Sequence, residues 1–150
     1  MHHEHYVPKT AQQPLKLTLK QKLGLPEDYP AMGDAIVQGF TFDVVASLAH
    51  ETELSETEIL NALNLPDRNK VQRRKHRRFT RVESNRIYAL IEAITAAEAL
   101  FEGEACVAIN WLKKPFRGLD GRSPIESLNS FIELQQVLAL IHRPEYGVFN

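Results

Sequence analysis

Residues 54–75 read LSETEILNALNLPDRNKVQRRK and contain two helix start signals separated by a turn signal. Ser55 is followed three residues later by a glutamate, which is the spacing of a capping box at a helix start. Pro66 disfavours helix at the residue before it, and Asp67 can cap a second helix. Val71 is the only aliphatic side chain in that second, basic helix, so the helix has little to bury. The pattern predicts a helix-turn-helix.

Helix start signals recur along the rest of the chain. The Ser/Thr-x-x-Glu spacing returns at Thr80, Ser123 and Ser130, and each hydroxyl can accept a hydrogen bond from a free N–H of the first helical turn. Glycines and prolines between these points supply the stop signals. We therefore predict an all-α fold with helices at about residues 31–38, 41–51, 55–63, 68–78, 81–101, 104–113, 124–129 and 131–142.

The predicted elements divide the chain into three parts. Residues 1–30 are polar and proline-containing, and we expect a flexible leader or arm. Within it, residues 15–20 (LKLTLK) alternate apolar and polar side chains, which predicts one short N-terminal strand. Residues 31–95 form the predicted helix-turn-helix domain for DNA binding and dimerisation. Residues 96–150 form a small helical C-terminal domain.

The charge of the chain is unevenly distributed. Its 18 basic and 19 acidic residues give a formal net charge of -1. Nine acidic residues and no Lys or Arg lie between positions 27 and 67, whereas positions 68–86 hold nine basic residues and one acidic residue. Such a basic segment can hold a polyanion even when the net charge is near zero.

The basic segment carries the residue types that DNA binding requires. Arg and Lys neutralise phosphates, carboxamides match adenine, and an arginine fork matches guanine. The candidate DNA-binding residues are Arg68, Asn69, Lys70, Gln72, Arg73, Arg74, Arg77 and Arg78. The alternative is that the cations only form a solvated helix end, stabilised by the helix dipole.

A helix-turn-helix protein commonly pairs to match two DNA half-sites, so we expect a homodimer. Five apolar side chains in the N-terminal half are the candidates for the dimer face: Ile36, Val37, Phe40, Val44 and Val45.

Catalysis and membrane insertion find no support in the sequence. It has no carboxylate pair, metal-ligand cluster or Ser/His/Asp set that argues for chemistry, so we predict a binding protein without a cofactor rather than an enzyme. The single cysteine, Cys106, fits a reducing cytoplasm. No apolar run approaches the roughly 18–20 residues that span a bilayer. We therefore expect a cytoplasmic protein that does not contact a membrane.

Two stretches resemble a known family. Residues 73–90 (RRKHRRFTRVESNRIYAL) are similar to the segment around the recognition helix of Xre-type antitoxins, in which paired arginines precede an ES-R motif. Residues 99–128 (ALFEGEACVAINWLKKPFRGLDGRSPIESL) closely resemble the C-terminal toxin-binding domain of the Xre/MbcA/ParS family. Its W-L-x-x-P signature begins at Trp111, and its G-x-S-P signature begins at Gly121.

The resemblance implies an antitoxin of a bacterial type II toxin–antitoxin pair. The family partner is a RES-domain toxin that degrades NAD⁺, and the antitoxin neutralises it by occluding the active site. As a dimer, the antitoxin also binds operator DNA and represses its own operon. The candidate toxin-binding residues are Trp111, Pro115, Arg122, Arg143, Tyr146, Gly147, Val148, Phe149 and Asn150.

Two alternatives remain at this point. Tyr146 and Phe149 could instead pack back onto Trp111. The whole chain could also be a stand-alone transcriptional regulator, whose C-terminal domain only dimerises or senses a ligand.

Overall fold

The computed structural model describes residues 16–143, and this part of the chain is helical. The α-helices are α1 (Leu19–Lys22), α2 (Tyr29–Gln38), α3 (Asp43–Glu51), α4 (Glu56–Ala62), α5 (Arg68–Gln72), α6 (Arg81–Leu100), α7 (Ala105–Leu112) and α8 (Phe131–Ile141). Two 3-10 turns, Arg117–Leu119 and Pro124–Glu126, connect α7 to α8. The predicted all-α fold class is confirmed. Within the described residues, no helix is long and apolar enough to cross a membrane.

The predicted helix caps are present. The hydroxyls of Ser55 and Thr80 each accept a hydrogen bond from the N3 backbone of their helix, and the N3 glutamate accepts one from the backbone N–H of the cap residue. At the second 3-10 turn the backbone N–H and the hydroxyl of Ser123 both donate to a carboxylate oxygen of Glu126, at 3.2 and 2.7 Å. Ser130 accepts a bond from the backbone of Glu133 and begins α8. Satisfying free N–H groups in this way fixes where each element begins.

The predicted N-terminal strand is wrong. Thr18 accepts a hydrogen bond from the backbone of Gln21, and the Gln21 side chain accepts one from the backbone of Thr18, so a capping box starts α1 inside the predicted strand. Leu17 is exposed and Leu23, at the end of α1, is buried, so burial does not follow the period-two pattern. Leu15 lies outside the described residues. The described helical structure thus begins earlier than residue 31.

The predicted helix over residues 68–78 is too long, since α5 ends at Gln72. Arg77 then adopts a left-handed conformation with φ of 54°. The chain continues extended, and the N–H of Phe79 donates to the carbonyl of Phe40 at 2.8 Å. Phe79 is buried and stacks on Phe42 with ring centroids 5.6 Å apart. Burying this aromatic ring requires the chain to leave the helix before it.

Helix α6 forms the centre of the core. Ile87, Leu90, Ile91, Ile94 and Ala97 follow helical spacing along one face of this helix and are all fully buried. The helix packs against α2, α7 and α8, and one hydrophobic cluster runs through both halves of the chain. The predicted boundary between residues 95 and 96 falls inside α6. This helix therefore belongs structurally to both halves.

The predicted dimer face does not lie on the surface. Ile36, Phe40, Val44 and Val45 are buried in the core of their own protomer, and among the five candidates only Val37 is exposed, at 61%. A side chain that already packs inside the protomer cannot also cover a partner. The dimer prediction is wrong for these four residues, because the sequence pattern did not distinguish core-facing from solvent-facing aliphatics.

Candidate functional site

Helices α4 and α5 meet at a tight turn over residues 63–67. Asn64 adopts a left-handed conformation with φ of 53° and lets the chain reverse direction. Its carbonyl accepts a hydrogen bond from Nη1 of Arg86 at 3.3 Å. Asp67 then caps α5 by accepting from the backbone of Lys70 at 2.8 Å. Val71 is fully buried and anchors α5, so the rest of this short helix faces solvent.

Five of the predicted DNA-binding side chains are exposed and unengaged. They make no hydrogen bond or ion pair with any other residue of the described part of the chain: Asn69, Lys70, Gln72, Arg73 and Arg77. Four of them lie on α5 or at its C-terminal end, and the fifth follows in the loop. This group combines three cations with two carboxamides, the combination that reads and neutralises nucleic acid.

Two other predicted DNA-binding arginines make intramolecular contacts. The guanidinium of Arg68 lies 3.3 Å from the carboxylate of Glu56 and 4.4 Å from the ring centroid of Phe42. Nη1 of Arg78 donates to the carbonyl of Gly39 at 2.8 Å. The bond from Arg78 holds the loop against the end of α2. The Arg68 side chain remains about half exposed despite its contacts.

Arg74 is held by a bidentate ion pair. Its two terminal nitrogens donate to the two carboxylate oxygens of Glu83 at 2.6 and 3.1 Å. Burial raises the pKa of Glu83, but hydrogen bonds from Arg74 and from the backbone of Thr80 outweigh burial and hold that pKa below its ordinary value. The bond to Glu83 in turn raises the pKa of Arg74. The pair is therefore charged at neutral pH and fixes the basic loop to the start of α6.

The C-terminal half places the predicted toxin-binding residues at different depths. Trp111 is only 3% exposed and lies between two aromatic rings, with centroids 6.5 Å from Phe101 and 5.0 Å from Phe116. In the free chain Trp111 therefore packs in the core of the C-terminal half and is not part of its exposed surface. Pro115 and Arg143 are exposed.

Arg122 is the remaining described candidate. It is also exposed, its Nε donates to the carbonyl of Leu119 at 3.4 Å, and Nη1 lies 3.9 Å from a carboxylate oxygen of Glu133. These two contacts direct the guanidinium without burying it. Five further candidates lie outside the described residues: Tyr146, Gly147, Val148, Phe149 and Asn150.

Two polar contacts join the α4–α5 region to the C-terminal half. Nζ of Lys113 lies 2.6 Å from a carboxylate oxygen of Glu58. The bond to Lys113 is the main cause that lowers the pKa of Glu58. The side-chain amide of Asn64 donates to Asn129 at 3.4 Å. The turn that presents α5 is thereby in direct contact with the C-terminal half.

Sequence comparison identifies the family. Residues 96–147 match the model of the antitoxin Xre/MbcA/ParS C-terminal toxin-binding domain. The chain is 37% identical over 134 residues to "Antitoxin Xre" of Yersinia enterocolitica serotype O:8 / biotype 1B, an alignment that covers 88% of this chain and 90% of the relative. This chain belongs to the Xre antitoxin family. "Antitoxin Xre" of Photorhabdus laumondii subsp. laumondii is 26% identical, with the same coverage.

Family membership confirms two of the predictions. The chain is an antitoxin rather than an enzyme, and residues 96–147 form its toxin-binding domain. The W-L-x-x-P and G-x-S-P signatures carried this resemblance, although Trp111 itself serves the core of the domain.

Sequence reasoning missed several exposed residues of the antitoxin. Lys75 and Arg81 are exposed and unpaired among the described residues, beside the cations that were selected. Both residues belong to the same run of basic residues, so the charge pattern of the sequence could have identified them as candidates. Phe131 and Ile132 are 73% and 71% exposed at the start of α8. The signal for them was two adjacent large apolar residues directly after the Ser130 cap, where the first turn of a surface helix is usually polar.

Phe131 borders an apolar groove on the antitoxin. The groove has a volume of about 560 Å³ and lies between α6 and α8, with the start of α2 at one side. Its main apolar lining residues are Tyr29, Val82, Tyr88, Phe131, Leu134 and Leu138. The groove is therefore built from the N-terminal half and from the toxin-binding domain together.

Proposed function

We propose that this antitoxin neutralises a RES-domain toxin that degrades NAD⁺ by occluding the toxin's active site. We further propose that it represses its own operon by binding operator DNA as a homodimer through a helix-turn-helix formed by α4 and α5. The observation that carries the DNA-binding part is the group of exposed, unpaired cations and carboxamides on α5 and in the loop after it.

The proposed DNA contacts divide into two classes. Asn69 and Gln72 lie on α5 and carry carboxamides that pair with base edges, whereas the fork of Arg73, at the C-terminal end of α5, suits a phosphate. Lys70, Lys75, Arg77 and Arg81 are exposed point charges or forks that suit phosphates. Arg74 and Arg78 serve the interface indirectly, because their bonds to Glu83 and Gly39 hold the loop in place.

The toxin-binding part rests on the domain over residues 96–147. Pro115, Arg122 and Arg143 are its exposed candidate contacts, and the planar fork of either arginine can bind a carboxylate of the toxin with two hydrogen bonds. Arg143 directly precedes the segment that holds Tyr146 and Phe149, and aromatic residues and Arg dominate interface hot spots. We propose that this end of the chain enters the active-site pocket of the toxin.

Co-expression with the neighbouring gene tests the toxin assignment. The expected product of that gene is a RES-domain protein that co-purifies with the antitoxin, depletes cellular NAD⁺ when expressed alone, and is harmless in its presence. A protein that binds its operator but neither co-purifies with the neighbouring product nor rescues growth would instead be a stand-alone transcriptional regulator.

Salt-dependent operator binding tests the DNA assignment. Arg73→Ala with Arg77→Ala should weaken binding and reduce the log–log salt slope by about 1–2, since each lost phosphate contact lowers it by about 0.9. Arg117→Ala is the matched control, because Arg117 is an exposed arginine outside the basic segment. Equal slopes for the wild-type protein and the double variant would exclude phosphate contacts by Arg73 and Arg77.

A further inference from the structure

Two neighbouring apolar residues at the start of α8 face different surfaces of the antitoxin. Phe131 and Ile132 are 73% and 71% exposed. Phe131 lines the groove between α6 and α8, whereas Ile132 does not. Successive residues of an α-helix point about 100° apart, so Ile132 lies on the outer face of α8. This outer face is therefore a surface separate from the groove.

Helical spacing places three further exposed residues on the outer face. Gln136 and Ala139 follow Ile132 at intervals of four and three positions, and Arg143 follows four positions later. Beyond the end of α8, the backbone N–H of Arg143 donates to the carbonyl of Leu140 at 3.2 Å, so the chain keeps turning as far as Arg143. We call Ile132, Gln136, Ala139 and Arg143 the outer stripe of α8.

The loop before α8 borders one side of the outer stripe. Nη1 of Arg122 lies 3.9 Å from a carboxylate oxygen of Glu133 in the first turn of the helix. Near the other end, Gly118 packs on Leu140, since a Cβ added at Gly118 would lie 3.5 Å from Cδ2 of Leu140. Glu133 and Leu140 are seven positions apart and so lie on the same side of α8. The loop thus follows the length of α8 and places the Arg122 guanidinium beside the stripe.

We propose that the outer stripe of α8 is the surface on which the toxin docks, with Ile132 as its apolar anchor. The inference deepens the proposed function, and it rests on that proposal for the entry of the chain's end into the toxin's active site. It adds that a separate surface holds the body of the toxin outside the pocket.

The position of the stripe selects the toxin as its occupant. The stripe lies wholly within residues 96–147, the domain that the family model assigns to toxin binding. It also runs toward Arg143, which directly precedes the segment proposed to enter the toxin's pocket. A toxin that encloses this segment stands next to the end of α8. The stripe therefore continues the contact that the proposed function already requires.

The chemistry of the stripe defines the complementary surface on the toxin. Ile132 is an apolar centre with polar groups around it, which is the arrangement of an interface hot spot. The Gln136 carboxamide can donate and accept hydrogen bonds, and the small side chain of Ala139 lets a partner approach closely. Arg122 and Arg143 supply guanidinium forks at the two ends. The expected partner surface is an apolar pocket for Ile132 with carboxylates at its edge.

Calorimetric binding of full-length antitoxin variants to the purified product of the neighbouring gene tests the inference. Ile132→Ser should raise the dissociation constant at least about thirtyfold, the loss typical of a hot-spot residue. Phe131→Ser is the matched control, because it changes the adjacent, equally exposed residue that faces the groove, and it should raise the constant less than about threefold. The Ile132 side chain packs little within the chain, so Ile132→Ser should keep the wild-type urea midpoint and operator affinity.

A second variant tests the stripe without removing apolar surface. Ala139→Arg adds a long side chain at an exposed position of the helix and should weaken toxin binding by blocking close approach. Ile132→Leu keeps an apolar anchor of the same volume and should stay within about threefold of wild type.

The outcomes separate this inference from the proposed function. Wild-type toxin affinity in Ile132→Ser overturns the inference and leaves the proposed function standing, as do equal losses in Ile132→Ser and Phe131→Ser. An Ile132→Ser variant that changes its mass in light scattering but binds the toxin normally assigns the stripe to contacts between antitoxin copies, which also overturns it. Selective loss in Ile132→Ser, with a neighbouring product that does not degrade NAD⁺, supports the docking surface and contradicts the proposed toxin identity.

Discussion

Arg73 and Arg74 are neighbours in the basic segment, and we predict that only the substitution of Arg74 destabilises the fold. Arg73 is exposed and unpaired among the described residues, whereas Arg74 forms a bidentate pair with Glu83. Arg74→Ala should therefore lower the free energy of unfolding, and Arg73→Ala should leave it unchanged. Arg73→Ala should instead weaken operator binding by the folded protein.

The size of the Arg74 effect follows from its contacts. A hydrogen bond to a charged group contributes about 1.5–3 kcal/mol, and Arg74 makes two to Glu83 besides a longer one to the carbonyl of Arg78. The side chains of Arg74 and Glu83 are 27% and 14% exposed, so solvent screens part of this energy. Glu83 also keeps its bond from the backbone of Thr80 after the substitution. We expect Arg74→Ala to cost about 2 kcal/mol, against less than about 0.5 kcal/mol for Arg73→Ala.

Urea unfolding, followed by circular dichroism, measures this difference. With an m-value of about 2 kcal/mol/M, the Arg74→Ala midpoint should fall by about 1 M, and the Arg73→Ala midpoint should not move. The folded-state pKa of Glu83 is lowered, so its stabilisation is present above the ordinary glutamate pKa of about 4.3 and is lost as pH falls through the lowered value. The stability gap between wild type and Arg74→Ala should therefore narrow below about pH 4.

A double-mutant cycle with Glu83→Gln isolates the pair. The double variant should be little worse than either single variant, because each single change already removes the ion pair. An Arg74→Ala protein as stable as wild type, with operator binding reduced as in Arg73→Ala, would falsify the structural role. Arg74 would then contact DNA, and the bond to Glu83 would contribute nothing measurable.

Three further predictions concern single features of the chain. Gly39→Ala should lower the free energy of unfolding by about 3 kcal/mol or more, because φ of Gly39 is +90° and an added Cβ would lie 2.1 Å from the carbonyl oxygen of Phe79. A variant with the wild-type midpoint in thermal or urea unfolding would contradict this close approach. Ser84→Ala should cost about 1–3 kcal/mol, since its hydroxyl is the partner of the buried N–H of Phe40 at 2.9 Å, and an unchanged unfolding midpoint would show that this bond is dispensable. Deleting residues 144–150 should abolish rescue of toxin-expressing cells with operator binding and melting temperature retained; continued rescue would exclude the segment from neutralisation.

The parts of the fold that sequence could predict depend on local signals. The capping boxes at Ser55 and Thr80 involve residues three positions apart, so the sequence contains both partners of each bond. The buried face of α6 follows from helical spacing over 20 residues, a length at which the period is unambiguous. Family membership followed from spaced signatures in the toxin-binding domain.

The parts that sequence could not predict depend on distant partners. Helix α5 ends early because Phe79 packs on Phe42, 37 positions away along the chain. The strand at residues 15–20 was favoured by alternation over six residues, a pattern that the capping box of Thr18 overrides. The burial of Val44 and Val45 depends on which helices surround α3, and no local pattern contains that information. The ion pair between Arg74 and Glu83 likewise forms only when the loop folds back toward α6, so the sequence alone did not indicate it.

The toxin-binding domain and the α4–α5 unit, for which we propose operator DNA as partner, are joined by shared packing and direct contacts. Helix α6 runs through both halves and contributes to one continuous core, so neither half has a core of its own. Arg86 of α6 holds the carbonyl of Asn64 in the turn before α5, and Lys113 of the toxin-binding domain pairs with Glu58 of α4. A ligand that shifts α7 or α8 therefore acts on the same contacts that position α5. Thermodynamic linkage then requires that any change which toxin binding makes to operator affinity is matched by an equal effect of operator DNA on toxin affinity.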